Sequence, residues 1–346
     1  MGWLPSWNYR IKITVNNSYV DADLTDFPMY VDLADLPADF HTNVNQTDGR
    51  DIRVTEADGF TEVPREVVFY DATTNTGELH FKGDILNSTD VDFYIYYGNS
   101  AASDYGVTDT YGRNNVWTND FGGVWHMGES TLVDSTGQVG NSTTQTGTTL
   151  TAGRIGKATT YASASSQRSI IPTATSIDED CLSSITYTMW ARATSAWTRS
   201  LEKGDQYFLL NLAGSGSQGS LIKVGGVNKQ ADIGTLSTSV WYYIGGRYSY
   251  SGGSTGVLNA ILNGAVVGTT TGIAGAIDGS TKDLYLGSDD GGLYYFNGNI
   301  DELRISPVVR ATTWISTEYN NQNDPSSFFT IGTVEANTGI MFFSLL

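Results

Sequence analysis

The chain has 346 residues, among them 39 Gly and 20 Tyr, with 16% charged residues and a formal net charge of −18. So acidic a surface repels phosphate backbones and excludes direct nucleic-acid binding. No run of 18 apolar residues exists to span a bilayer, and the single cysteine, Cys181, excludes an internal disulfide. The length predicts two domains, and the Gly, Ser, Thr, Asn and Tyr content predicts β-structure over long amphipathic helices. The charge is uneven: residues 1–110 hold 19 acidic and 6 basic side chains, net −13, and the remainder holds 18 and 13, net −5. Met1-Gly-Trp-Leu-Pro-Ser6 shows no basic segment followed by an apolar stretch, so the sequence predicts no signal peptide.

In chain order, Tyr9–Val15 alternates, with Ile11, Ile13 and Val15 on one face and Arg10, Lys12 and Thr14 on the other, the period of a half-buried strand. Strand patterns follow at 27–33, 51–55, 67–70, 79–82 and 91–97, separated by turn signals such as Ala57-Asp-Gly59. Residues 101–115 are small and polar and read as a linker. Beyond them, Ile185–Ala191, Tyr207–Leu212, Trp241–Tyr248, Val257–Leu262 with its Asn263-Gly264 turn, Leu284–Gly287 and Ile300–Ile305 predict further strands. One short helix is predicted over 312–320, with Thr312 as its N-cap. Trp125, Trp190 and Trp241 fall inside strand patterns and read as core.

Two resemblances emerge. Trp7-Asn-Tyr-Arg-Ile-Lys-Ile13, Leu24-Thr-Asp-Phe-Pro28, Asp51-Ile-Arg53 and Tyr94-Ile-Tyr-Tyr-Gly-Asn99 resemble an uncharacterised β-domain family of phage and prokaryotic surface proteins. Val124-Trp-His-Met-Gly-Glu129, Asp134-Ser-Thr-Gly-Gln138, Gly153-Arg-Ile-Gly-Lys-Ala158 and Gly298-Asn-Ile-Asp-Glu-Leu-Arg-Ile305 resemble laminin-G-like, concanavalin A-like jelly rolls. The chain departs from that pattern at Gln138, with the loop extended by Val139-Gly140-Asn141. Together they imply an all-β protein of two tandem β-sandwiches. The expected boundaries are an N-terminal sandwich over 1–105, a linker over 106–115, a laminin-G-like domain over 116–335 and an apolar tail over 336–346.

The chemistry is read mainly by exclusion. A retaining glycosidase needs two carboxyls about 5 Å apart, and Glu-x-Asp-x-Glu, the economical strand motif, does not occur. Asp178-Glu-Asp180 is its nearest approach and lies in a loop-like stretch. The three histidines His41, His80 and His126 show no zinc spacing, and no Gly-x-Ser-x-Gly elbow follows a strand. No enzyme is expected. The laminin-G resemblance implies calcium as the metal, held by oxygen ligands at Asp134 and Asp301; Asp289-Asp290 adds a turn with two carboxylates. Loop aromatics offer flat rings to sugar faces, which nominates Trp197, Tyr248, Tyr294 and Tyr295. The expected function is a surface or virion-associated module that recognises a glycan or protein. The alternative is a structural virion component whose apolar C-terminus, or Trp3, Leu4 and Trp7, meets a virion or homo-oligomer partner. A glycoside hydrolase or lyase is the minor alternative.

Overall fold

The computed structural model describes residues 2–196, 198–204, 206–211 and 218–338. The chain divides into two compact units, one formed by residues 1–116 and 324–346, the other by residues 117–323.

In the first unit two antiparallel sheets carry the fold. One runs in the order Phe329–Ala336, Tyr9–Val15, Val91–Tyr97, Arg53–Glu56; the other runs Leu24–Asp32, Thr76–Ile85, Arg65–Asp71. The alternation read from Tyr9–Val15 holds on its inner face, where Ile11, Ile13 and Val15 are fully buried. Phe81 and Phe93 join them, their rings 5.0 Å apart. The outer face departs from expectation at Arg10, which is buried. Its guanidinium lies 4.3 Å from the Trp3 ring and 4.1 Å from the Tyr94 ring, and it donates to Gly2 O and Tyr96 Oη. Leu4 packs against Tyr94 and Tyr96 with Trp3 and Trp7 beside it, so the apolar N-terminus is spent inside its own unit.

The expected boundaries need two corrections. The strand Phe329–Ala336 pairs with Tyr9–Val15, not with the second sandwich to which residues 116–335 were assigned. Its alternating pattern is generic, and only the register Ile11↔Val334 and Val15↔Phe329 says which sheet it completes. Residues 106–115 are not a free linker either. Gly106 N–H donates to the Asp109 carboxylate (2.7 Å), Asn115 Nδ2 to Asp109 O (2.7 Å), and Arg65 N–H to Tyr111 O (3.2 Å). The end of the tail, 339–346, lies outside the described residues.

The second unit stacks two large antiparallel sheets. The first runs Ala265–Ile273, Gly256–Leu262, Tyr242–Ser249, Ser184–Ala193, Gly298–Ser306, Lys157–Tyr161, Thr149–Ala152, with Gly123–Trp125 also paired to Gly298–Ser306. The second runs Val227–Gly234, Gln218–Val224, Tyr207–Asn211, Leu201–Lys203, Leu284–Leu286, Ser169–Ile171, Thr144–Gln145. Between them lies one core, including Tyr187, Met189, Leu209, Ile222, Tyr248, Leu258, Leu286, Ile300 and Leu303. Two sheets enclosing one core make a β-sandwich. The helix spans Thr312–Asn323, three residues beyond the expected end, with Thr312 as its first residue. It covers the outer face of the first sheet. Trp190 Nε1 donates to Gln322 Oε1 (2.7 Å) and its ring stacks on Tyr319 at 5.7 Å, so Trp190 is buried under the helix and not between the sheets. Trp125 is buried as expected, whereas Trp241 is only half-buried, with the Arg192 guanidinium 5.2 Å from its ring.

Candidate functional site

Among the described residues of the second unit, the loop joining Leu284–Leu286 to Gly298–Ser306 carries the exposed aromatic ring of Tyr294. Gly287 (φ +81°) starts it, at a position where an added Cβ would come within 2.5 Å of the Tyr161 ring. Asp289 then folds the loop back. Its N–H donates to Leu293 O (3.2 Å), its carboxylate accepts from Leu293 N–H, and its carbonyl accepts from Gly292 N–H (3.2 Å). Phe296, fully buried, anchors the far end while its N–H donates to Gly287 O (2.9 Å). Held at both ends, the loop turns Leu293 and Tyr294 outward at 60% and 58% exposure, and Tyr294 sits at φ +51°. A bulky residue in the left-handed region costs of order 1 kcal/mol and persists only where its surroundings enforce it.

Charged side chains frame the ring. The Arg199 guanidinium lies 5.3 Å from the Tyr294 ring and 5.1 Å from the Phe208 ring, and it pairs with Glu202. Burial pushes the Glu202 carboxyl up, and Arg199 opposes the shift. Thr198 Oγ1 donates to Tyr295 O (2.9 Å). Behind the loop, an added Cβ on Gly292 would sit 3.0 Å from Arg168 Nη1 and 3.1 Å from Tyr295 Oη, which places both polar groups at the turn. Arg168 also faces the Tyr285 ring at 6.0 Å. The surface therefore offers an exposed aromatic ring and an aliphatic side chain on a braced loop, with the Arg199 and Arg168 guanidiniums beside it.

Of the four aromatics nominated from sequence, the structure brings two together, Tyr294 and Tyr295. Trp197 lies outside the described residues. Tyr248 is fully buried in the sandwich core, where its hydroxyl donates to Gly275 O, and burial pushes its phenol up to about 12. It is a packing residue: the alternation of Tyr242–Ser249 turns it inward. Arg168 and Arg199 were missed because nothing local in the sequence marks a guanidinium that stacks on a ring from another strand.

The two carboxylates nominated for calcium stand apart from this surface. Asp134 is buried and both its oxygens are engaged: Oδ1 accepts from Val124 N–H (3.0 Å) and Thr136 N–H (3.1 Å), Oδ2 from Thr136 Oγ1 (2.7 Å) and Val139 N–H (2.9 Å). It braces its own loop. Asp301 Oδ2 accepts the N–H groups of Arg154 (2.8 Å) and Ile155 (2.9 Å), while Oδ1 is buried with no hydrogen-bond partner. Burial, with Glu302 nearby, pushes this carboxyl well above the usual range, and its bonds to the Arg154 and Ile155 amides make Asp301 a bracket for the Gly153–Gly156 turn. Calcium takes six to eight oxygen ligands. Among the described residues neither Asp134 nor Asp301 belongs to a cluster of three or more ligating side chains.

Hydrolytic chemistry would need two carboxylates in a cleft. One pair in the second unit, Glu302 and Glu318, is bound to Arg304 on both sides and buried. Arg304 Nη2 donates to Glu302 Oε1 (2.7 Å) and Nη1 to Glu318 Oε2 (3.0 Å). Glu318 also accepts from Tyr243 Oη and Thr188 Oγ1, and His126 Nδ1 lies 2.7 Å from Glu302 Oε2. The adjoining cavity is about 10 Å³, room for one water at most. No sugar reaches these groups. They tie the helix Thr312–Asn323 to the sheet.

Residues 157–316 match the family model described as the concanavalin A-like lectin/glucanases superfamily, Laminin_G_3, and form a concanavalin A-like module. The family therefore spans both recognition and hydrolysis. No curated protein matches the chain. Among solved structures the chain is similar to domain 4 of AbnA, an extracellular arabinanase of Geobacillus stearothermophilus solved with arabinotriose. That match has 18% identity and a TM-score of 0.45, covering 58% of this chain and 98% of that one. It is also similar to the binding domain of Paraclostridial mosquitocidal protein 1 (13%, TM-score 0.48, 58% and 52%) and to the binding domain of botulinum neurotoxin serotype C1 (12%, TM-score 0.46, 59% and 52%). The chain spans about half the length of these last two. Such distances are too great to transfer a ligand. Among the described residues no helix is long and apolar enough to cross a membrane.

Proposed function

We propose that the protein is a non-enzymatic binding module that recognises carbohydrate through the loop 289–295 of its concanavalin A-like unit. The observation that carries this reading is Tyr294: a ring 58% exposed, held in a strained backbone conformation on a loop pinned by Asp289 and Phe296, with Arg199 against it. A rigid exposed ring loses little conformational entropy on binding and presents a flat apolar face to a sugar, while Arg168, Arg199 and Tyr295 supply hydrogen-bond donors. The pinned Glu302–Arg304–Glu318 group supports recognition over hydrolysis.

A glycan-array screen of the full chain, repeated with Tyr294→Ala, tests the proposal. Selective, saturable binding weakened about tenfold or more by the substitution is expected, the scale of a lost stacking anchor. Absence of binding, or binding indifferent to Tyr294, overturns it and favours the assembly-dependent structural role in a particle.

A further inference from the structure

Arg168 stands beside the loop 289–295 with its charge unanswered. It immediately precedes the strand Ser169–Ile171, and its guanidinium faces the Tyr285 ring at 6.0 Å. Among the described residues its side chain makes no hydrogen bond and no ion pair. Arg199, the other guanidinium at the loop, is paired with Glu202. Carboxylates are not lacking in a chain of net charge −18, and Glu202, Asp283, Asp289 and Asp290 share this neighbourhood. Each is already engaged. Asp290 pairs with Lys282 and Glu202 with Arg199, while Asp283 accepts Thr173 N–H (3.0 Å) and Asp289 accepts Leu293 N–H. Arg168 is left as a permanent cation whose planar fork of donors meets no protein acceptor.

Gly292 shapes what the fork faces. It sits at φ +71°, and the Cβ it lacks would stand 3.0 Å from Arg168 Nη1 and 3.1 Å from Tyr295 Oη. The guanidinium and the phenol therefore converge on one small hollow. The Tyr295 hydroxyl likewise has no hydrogen-bond partner among the described residues. Both side chains are half-buried, and neither polar end is shut off from solvent. Two donors meeting at a point without an acceptor fit a carboxylate. Its oxygens take charge-assisted bonds of about 2.7–2.9 Å from a guanidinium and about 2.5–2.7 Å from a hydroxyl, roughly twice as strong as bonds to a neutral acceptor. Tyr294 lies two residues along, at most about 7 Å from Gly292 between Cα atoms. One short oligosaccharide can cover the ring and reach the hollow.

We propose that the loop 289–295 binds an acidic glycan, with a sugar carboxylate seated at Gly292 between Arg168 and Tyr295 Oη and a neighbouring ring face on Tyr294. This rests on the reading of that loop as the sugar site and adds the charge of the ligand. Uronic and sialic acids both carry the group. The chain's overall negative charge does not forbid it, because repulsion from distant carboxylates is screened beyond about 8 Å at physiological salt.

The test is an array that carries uronic-acid and sialic-acid glycans beside their methyl-esterified copies, probed with the full chain at physiological salt, with calorimetry on the best-bound pair. The free acid is expected to bind about tenfold or more tightly than its ester, the scale of a hydrogen bond to a charged group. Arg168→Gln lowers that ratio to less than about twofold and leaves the unfolding midpoint in place, since the side chain has no protein bond to lose. Tyr295→Phe, which removes only the hydroxyl, lowers the ratio as well. Whichever acid is bound assigns the source, uronic or sialic. Acid and ester bound alike, or a preference that survives Arg168→Gln, overturns the acidic ligand; if that binding is still lost in Tyr294→Ala, the sugar-binding reading stands without it. Binding to neither acids nor esters overturns the acidic ligand and the sugar-binding reading together.

Discussion

Arg10 and Glu335 lie 325 positions apart in the chain, and Arg10 Nη2 lies 2.7 Å from Glu335 Oε2. They face each other across the strands Tyr9–Val15 and Phe329–Ala336, so the first unit is closed by the last described strand of the chain. The concanavalin A-like unit is thereby an insertion within the first unit's sequence.

Truncation after Asn323 removes that strand and bares the edge of Tyr9–Val15. The expected outcome is loss of the first unit's unfolding transition and rapid proteolysis within residues 1–116, with the unit 117–323 still folded. Glu335→Ala alone is milder, about 1 kcal/mol, because Glu335 is 40% exposed and Arg10 keeps its bonds to Gly2 and Tyr96. Thermal unfolding of both variants checks the order.

The buried carboxyl of Asp301 sets a pH dependence. Its folded pKa is raised well above the ordinary carboxylate value by burial, with Glu302 adding to the shift and the Ile155 and Arg154 amides and His126 opposing it. The folded state therefore holds a proton that the unfolded state releases, and stability falls as pH rises. The contribution is full below the unfolded pKa near 4 and is lost as pH climbs through the raised folded value. Asp301→Asn keeps an acceptor for both amides and is expected to flatten this dependence in denaturant midpoints measured across pH. Asp301→Ala strands both amides and costs about 2–4 kcal/mol at any pH.

Arg304 between Glu302 and Glu318 is the second unit's central ion network. Glu318→Ala leaves Arg304 and Tyr243 without their shared acceptor and detaches one contact of the helix Thr312–Asn323. The expected cost is about 3–5 kcal/mol, the range for breaking a buried pair, read as a lowered midpoint of the second unit.

Two tyrosines nominated by the same reasoning separate cleanly on mutation. Tyr248→Ala hollows the sandwich core and costs about 3–5 kcal/mol. Tyr294→Ala changes stability by less than about 0.5 kcal/mol while removing the ring on which sugar binding is proposed. Chemical denaturation beside glycan binding shows both.

Calcium and chelator offer a test of the two carboxylates. With Asp134 already accepting four hydrogen bonds, adding calcium or EDTA is expected to move the second unit's midpoint by less than about 1 °C, in contrast to the several kcal/mol that a saturated site confers.

The sequence by itself determined the β class, most of the strands and the concanavalin A-like module. Alternation such as Ile11, Ile13, Val15 is a one-dimensional signal, and the core of both sandwiches follows from it. The motifs also proved to be framework: the Asp51 carboxylate accepts the N–H groups of Gly98 (2.9 Å) and Asn99 (3.2 Å), joining two of the segments that carry the N-terminal resemblance. Only tertiary structure decided the rest. Pairing register placed Phe329–Ala336 in the first unit, because an edge strand's pattern does not name its partner. The inward turn of Tyr248 and the outward turn of Tyr294 depend on strand phase and on a loop held by Asp289 and Phe296. The fate of Asp134 and Asp301 was set by which amides fold onto them, and no spacing in the chain encodes that.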